Sequence, residues 1–177
     1  MGTIDPRERF SGAAAGYARH RPSYPPAIVD GILATAGVGP GDAIADVGCG
    51  TGILTRLLAE RGKDVVGIDP NESMLAEARA AGGPAKYHRG EAEATGLRGA
   101  SVALVTVAQA FHWFDLDRTL AEFHRILKPG GHAAALWTAK ASTLPSGSCS
   151  RLTPAPACWS SPIGRWPLIF GIGPTPP

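Results

Sequence analysis

Gly48, Gly50 and Gly52 stand at alternate positions directly after the apolar run Ala43-Ile44-Ala45-Asp46-Val47 and directly before a stretch of helical pattern from about Ile53 to Arg61. Residues without a Cβ let a turn take unusual backbone angles and let a ligand lie against the main chain. The helix that follows would offer its free N–H groups to whatever occupies the turn. Some twenty residues on, the run Asp64-Val65-Val66-Gly67-Ile68-Asp69 reads as a second strand ending in a carboxylate. That is about the separation at which a dinucleotide fold places the acid that accepts hydrogen bonds from two ribose hydroxyls. The chemistry implied is a grip on a nucleoside, built from backbone donors and one acid.

Other residue types that do chemistry fall into two further stretches. Gly90-Glu91-Ala92-Glu93-Ala94-Thr95-Gly96-Leu97 is an acidic loop after a short third strand, Ala85–Arg89. Ala108-Gln109-Ala110-Phe111-His112-Trp113-Phe114-Asp115 follows the nearly all-apolar strand Ser101–Val107. A strand of that composition is covered on both faces, and in open α/β sheets ligands sit at the carboxyl ends of such strands. Three aromatics and a histidine in one loop suit a pocket wall, with His112 and Trp113 the candidates and Phe111 and Phe114 equally suited to the core.

These stretches require alternating strands and helices to hold them. Helices are expected from Pro26 to Ala36, from Asn71 to Ala81 with Asn71 as cap, and from Leu116 to Leu127. In the last of these, Leu120, Phe123, Ile126 and Leu127 should face inward, and Asp117, Arg118, Glu122 and Arg125 outward. Lys128-Pro129-Gly130-Gly131 turns the chain into a fifth strand, His132–Trp137.

The run Asp46-Val47-Gly48-Cys49-Gly50-Thr51-Gly52, followed by Gly67-Ile68-Asp69-Pro70-Asn71-Glu72-Ser73-Met74-Leu75, resembles the nucleoside-binding half of the class I S-adenosylmethionine-dependent methyltransferases. The Gln109–Phe114 loop and the Leu127–Gly131 turn extend the resemblance, as does the N-terminal Tyr17-Ala18-Arg19-His20-Arg21-Pro22-Ser23-Tyr24-Pro25, which is similar to the start of enzymes of the trans-aconitate methyltransferase type. The resemblance covers roughly residues 10 to 140. It implies a Rossmann-like, doubly wound, mostly parallel sheet and S-adenosylmethionine as cofactor. By the same resemblance Asp69 takes the ribose, Gly48 and Gly50 approach the amino-acid half of the cofactor, and Glu91 with Ala92 meets adenine. Asp46 stands either near the cofactor's ammonium group or as an anchor of the glycine loop.

The implied reaction is methyl transfer to a small molecule. Tyr17, Arg21 and Trp113 are then acceptor-side residues, the tyrosine facing a sulfonium cation and the arginine an acidic acceptor. Arg19 and Arg21 favour a carboxylic acid, which arrives ionised, whereas a phenol or amine needs a base, for which His112 is the candidate. Two other readings compete: a nicotinamide-dependent oxidoreductase, which would use the same turn and Asp69, and a catalytically silent nucleotide-binding remnant.

Composition narrows the partners. A formal charge of +2 over 177 residues provides no strong field toward nucleic acid or an anionic membrane, and there is no apolar run of membrane-spanning length. Three cysteines, Cys49, Cys149 and Cys158, form no metal-like spacing and suit a reducing, cytoplasmic setting, and no metal is expected. Oligomeric state is open. From Ala141 to Pro177 the chain holds 8 of its 16 prolines and neither Asp nor Glu. Proline at that density argues against strands and helices alike. The expected organisation is therefore a methyltransferase domain over 1–140, with 1–25 an arm or lid, and an irregular tail over 141–177 outside the fold, the family's C-terminal strands being missing.

Overall fold

The computed structural model describes residues 23–137, 157–161 and 164–172. In chain order it comprises α1 (Pro26–Thr35), β1 (Ala43–Val47), α2 (Ile53–Ala59), β2 (Asp64–Asp69), α3 (Glu72–Ala80), β3 (Lys86–Arg89) and β4 (Val102–Ala108). A 3-10 turn (Phe111–Trp113), α4 (Leu116–Ile126), β5 (Leu127–Trp137), β6 (Ala157–Ser161) and β7 (Gly164–Ile172) follow. One sheet contains all the strands in the order β3-β2-β1-β4-β5-β7-β6. β1 pairs in parallel with both β2 and β4, so successive crossovers run outward in one direction from β1 to β3 and in the other from β4 to β5. The crevice at the carboxyl ends of β1 and β4 is the topological switch point where such sheets bind ligands.

Alternation along β1 explains the two-faced core. Ile44 joins Val65 and Leu104 in a layer with Val29, Ile32 and Leu33 of α1 and Leu54 and Leu58 of α2. Its neighbours Ala45 and Val47 belong to the opposite layer, with Ile68, Val105, Val107 and, from α4, Phe123 and Ile126. Successive strand side chains point to opposite faces, which is why a doubly covered strand reads as a continuous apolar run.

Asn71 caps α3 as expected, its side chain accepting from the Ser73 and Met74 N–H groups. The Lys128–Gly131 turn is a bulge within β5: Val102 opposes Leu127 but Leu104 opposes His132, and Lys128 reaches Asp42 ahead of β1 at 2.9 Å. The segment expected to be an irregular tail contributes two strands to the sheet. β7 pairs in parallel with β5 from Leu168 to Ile172, and antiparallel β6 covers its other side. Ala157–Ser161 and Leu168–Ile172 are free of proline, and Pro167 lies one residue outside the β5 ladder, so its missing N–H interrupts nothing there.

Candidate functional site

The glycine loop leaves β1 with Gly48, Gly50 and Gly52 all at positive φ, +69°, +54° and +72°, a region that glycine alone adopts without strain. Their surroundings differ. A Cβ on Gly52 would strike the Tyr87 ring, with the hydroxyl oxygen at 2.5 Å, and one on Gly48 would lie 2.6 Å from the Ala110 methyl. A Cβ on Gly50 would meet nothing within 4 Å. Two glycines therefore let other parts of the protein close in on the turn, and Gly50 alone of the three faces open space.

Asp69, at the end of β2, fixes that open glycine. Its Oδ2 accepts from the Gly50 N–H at 2.8 Å and its Oδ1 from the Asn71 N–H at 2.9 Å. Each oxygen retains acceptor capacity for a further hydroxyl. Burial pushes the carboxyl upward, and the N–H bonds from Asn71 and Gly50 oppose the shift.

Asp46 lies deeper, 1% exposed at the end of β1. Its Oδ2 accepts from the Thr55 hydroxyl of α2 at 2.6 Å, and its Oδ1 from the Thr106 hydroxyl of β4 at 2.8 Å. Of the two roles expected for Asp46, this geometry is that of an anchor joining strand, helix and neighbouring strand beneath the glycine loop. Burial raises its pKa to about 6, against the lowering effect of the two hydroxyls. The Cys49 thiol is likewise held well above its ordinary range by burial.

Asp46, Gly48, Gly50, Asp69, Glu91, Ala92 and Trp113 all line one cavity of about 610 Å³, within the range of small-molecule sites. His112 does not. It is exposed on the 3-10 turn, its ring 4.7 Å from that of Trp113, and it is absent from the cavity lining, so the structure does not bring it to the site as a base. Tyr17 and Arg21 lie outside the described residues. Phe111 and Phe114 are partly buried against the core, and Phe114 also closes on Gly48.

Several cavity residues escaped sequence reasoning. Tyr24, 8% exposed, was grouped with the arm, and Thr51 carries a buried hydroxyl that has no hydrogen-bond partner among the described residues. Arg118 lines the cavity from the first turn of α4, and Gln109 does so with a left-handed backbone, φ +62°. Glu93, expected at the surface, lines the cavity too and accepts from the Asp115 N–H at 2.8 Å. The left-handed angle and the orphan hydroxyl have no signature in residue type. Glu122, expected outward, is 8% exposed and binds Thr95 and Arg125.

The model of the family described as "Methyltransferase domain" matches residues 45–135. The chain belongs to the class I S-adenosylmethionine-dependent methyltransferases. The oxidoreductase alternative drops out with that assignment. An uncharacterized methyltransferase of Mycobacterium tuberculosis is 43% identical over 131 residues, covering 74% of this chain and 52% of that protein. A malonyl-[acyl-carrier protein] O-methyltransferase of Serratia marcescens is 32% identical over 146 residues, 78% of this chain and 55% of that one. Among solved structures, an S-adenosylmethionine-dependent methyltransferase from Mesorhizobium loti superposes with a TM-score of 0.51 at 34% identity, covering 59% of this chain and 51% of the other. The chain spans about half the length of the curated relatives it matches.

The residues of this methyltransferase site suit the family's cofactor on structural grounds. Gly50 leaves room against the main chain, and Asp69 has acceptor capacity beside it. A nucleoside carrying a hydroxylated sugar suits both.

Proposed function

We propose that this chain binds S-adenosylmethionine in the 610 Å³ cavity and transfers its methyl group to an ionised small-molecule acid. The observation that carries the reading is the Asp69 carboxylate at 2.8 Å from the N–H of Gly50, the open one of the turn's three glycines. Asp69 takes the ribose hydroxyls, Gly48 and Gly50 border the amino-acid half, and Glu91 with Ala92 borders the base. Asp46 keeps the turn in shape through Thr55 and Thr106. When bound, the cofactor supplies a methyl group on a positively charged sulfur, open to displacement by a nucleophile.

The protein's contribution is positioning and the exclusion of water. Trp113, Phe114 and Tyr24 form the aromatic part of the wall, and Arg118 is the one basic side chain among the described lining residues. An acceptor that arrives as a carboxylate needs no proton removed, which agrees with the position of His112 outside the lining. Arg118, with Arg21 of the N-terminal segment, is assigned to that carboxylate, and Tyr17 to the sulfonium cation. The Serratia relative, an O-methyltransferase of a malonyl group on its carrier protein, points toward oxygen as the methylated atom.

Calorimetric titration with S-adenosylmethionine and S-adenosylhomocysteine, on the parent chain and on Asp69→Ala, tests the cofactor site. The expected loss in the variant is at least about tenfold in affinity, from two hydrogen bonds to an ionised group. Equal affinity in both proteins would remove the assignment. Methyl transfer to a panel of small carboxylic acids tests the acceptor, and binding without turnover on any of them would mark the chain as a nucleoside-binding remnant.

A further inference from the structure

A carboxylate on α4 holds the loop from Gly90 to Leu97 without lining the cavity itself. Glu122 of α4 is buried, and its Oε1 accepts from both the N–H and the hydroxyl of Thr95, at 2.8 and 2.5 Å. Arg125, one turn along, grips the same carboxylate with Nε and Nη2, both at 2.7 Å, and donates a further 2.7 Å bond to the Leu97 carbonyl. The Thr95 carbonyl in turn pairs with His88 Nε2 at the end of β3, at 2.7 Å. Thr95 itself is fully buried.

These bonds secure the far end of the loop from Gly90 to Leu97. The near end is held by the Gly90 N–H on the Asp69 carbonyl, at 3.2 Å. Between the two ends lie Glu91, Ala92 and Glu93, the three loop residues that line the cavity. A second tie to α4 runs from Glu93 to the N–H of Asp115, the helix cap. The loop is therefore spanned between the end of β2 and two points on α4, and the deeper of those points is Glu122.

We infer that Glu122, with Arg125 and Thr95, is a positioning device that sets Glu91 and Ala92 against the base of the bound nucleoside and so fixes the preference for adenine. The inference rests on the reading that this loop faces the base. A carboxylate placed there only to stabilise α4 would need no contact with Thr95. The Arg125 fork at i+3 would serve that purpose from the helix surface.

The test is a pair of affinities measured by calorimetry on the full chain. The probes are S-adenosylhomocysteine and its inosyl counterpart, which carries a carbonyl in place of the exocyclic amine. The parent should favour the adenosyl ligand by about tenfold or more, because a base edge left unpaired in a site built for an amine is costly. Glu122→Gln keeps an acceptor for Thr95 but turns an amide donor toward Arg125. It should narrow the preference by about threefold or more while the inosyl ligand binds nearly as before. Thr95→Val, which conserves volume and the main-chain N–H, should act the same way, and it carries the test if the glutamine variant fails to fold. Equal weakening of both ligands, or an unchanged preference in a folded variant, would overturn the device and leave the cofactor reading standing. A parent chain that binds both ligands equally would overturn the assignment of the loop, and the device with it.

Discussion

The methyl group of Ala110 occupies the space that a side chain on Gly48 would need, 2.6 Å from where its Cβ would stand. The loop after β4 is thereby seated on the first glycine of the turn, with Phe114 beside it at 3.1 Å. Gly52 plays the same part for the Tyr87 ring, and Gly50 has no such neighbour. Three glycines of one motif thus carry two different duties, packing and ligand approach.

That division predicts opposite outcomes for alanine at the three positions. Gly50→Ala meets only the strain of a left-handed backbone, about 1–2 kcal/mol, and should remain folded while losing most of its affinity for S-adenosylhomocysteine. Gly48→Ala and Gly52→Ala add a collision to that strain and should lose on the order of 3 kcal/mol or more. Urea unfolding with calorimetry on the same three proteins separates the cases. A Gly50→Ala protein that binds like the parent would show that the open space is not where the ligand lies.

The distinction between these glycines is invisible in the sequence, although the turn itself was plain there. Apolar runs located β1, β2 and β4 to within a residue, and Asn71 marked the start of α3, because local chemistry decides those features. Glu122 was misplaced since a charge on an amphipathic helix normally faces water, and its partner Thr95 lies 27 residues away along the chain. His112 was drawn into the site by the company of Trp113, but a 3-10 turn sets adjacent residues in different directions, and only Trp113 lines the cavity. The strands after Ala141 were obscured by proline counted over the whole segment instead of residue by residue.

The Asn71 side chain accepts from Ser73 N–H at 3.0 Å and Met74 N–H at 3.2 Å, two donors that the first turn of α3 would otherwise leave unpaired. Replacement by alanine should destabilise the protein by about 1 kcal/mol, and replacement by aspartate or serine should restore most of that. Thermal unfolding monitored by circular dichroism provides the comparison. A serine variant no better than alanine would show that Asn71 contributes through something besides the cap.

Glu122 should dominate the acid limb of stability. The Arg125 hydrogen bonds hold its carboxyl down to about 2, below the ordinary 4.5, against the opposing effect of burial. A depressed carboxylate stabilises the folded state above its unfolded pKa and loses that contribution as pH falls through the folded one. Between about pH 4.5 and 2 the parent should therefore lose on the order of 2 kcal/mol that Glu122→Gln does not lose, the figure being reduced for the half-exposed Arg125. Parallel unfolding curves for the two proteins across that range would contradict it.

Asp46 works in the opposite sense. Burial between Thr55 and Thr106 raises its pKa from 3.8 to about 6, so the folded state holds a proton that the unfolded chain releases at lower pH. Where the folded state binds more protons, stability falls as pH rises. The fall should begin near pH 4, end near pH 6, and amount to on the order of 3 kcal/mol. Asp46→Asn cannot ionise and should lack this slope while keeping its place between the two hydroxyls. Its stability relative to the parent should accordingly improve by that amount between pH 4 and pH 7, whatever the substitution costs at the outset. If the gap between the two proteins is the same at both pH values, Asp46 ionises in the folded protein as it does in the unfolded chain. The pair of threonine hydroxyls would then fully offset its burial, and the anchor beneath the glycine loop would be a carboxylate at any pH above about 4.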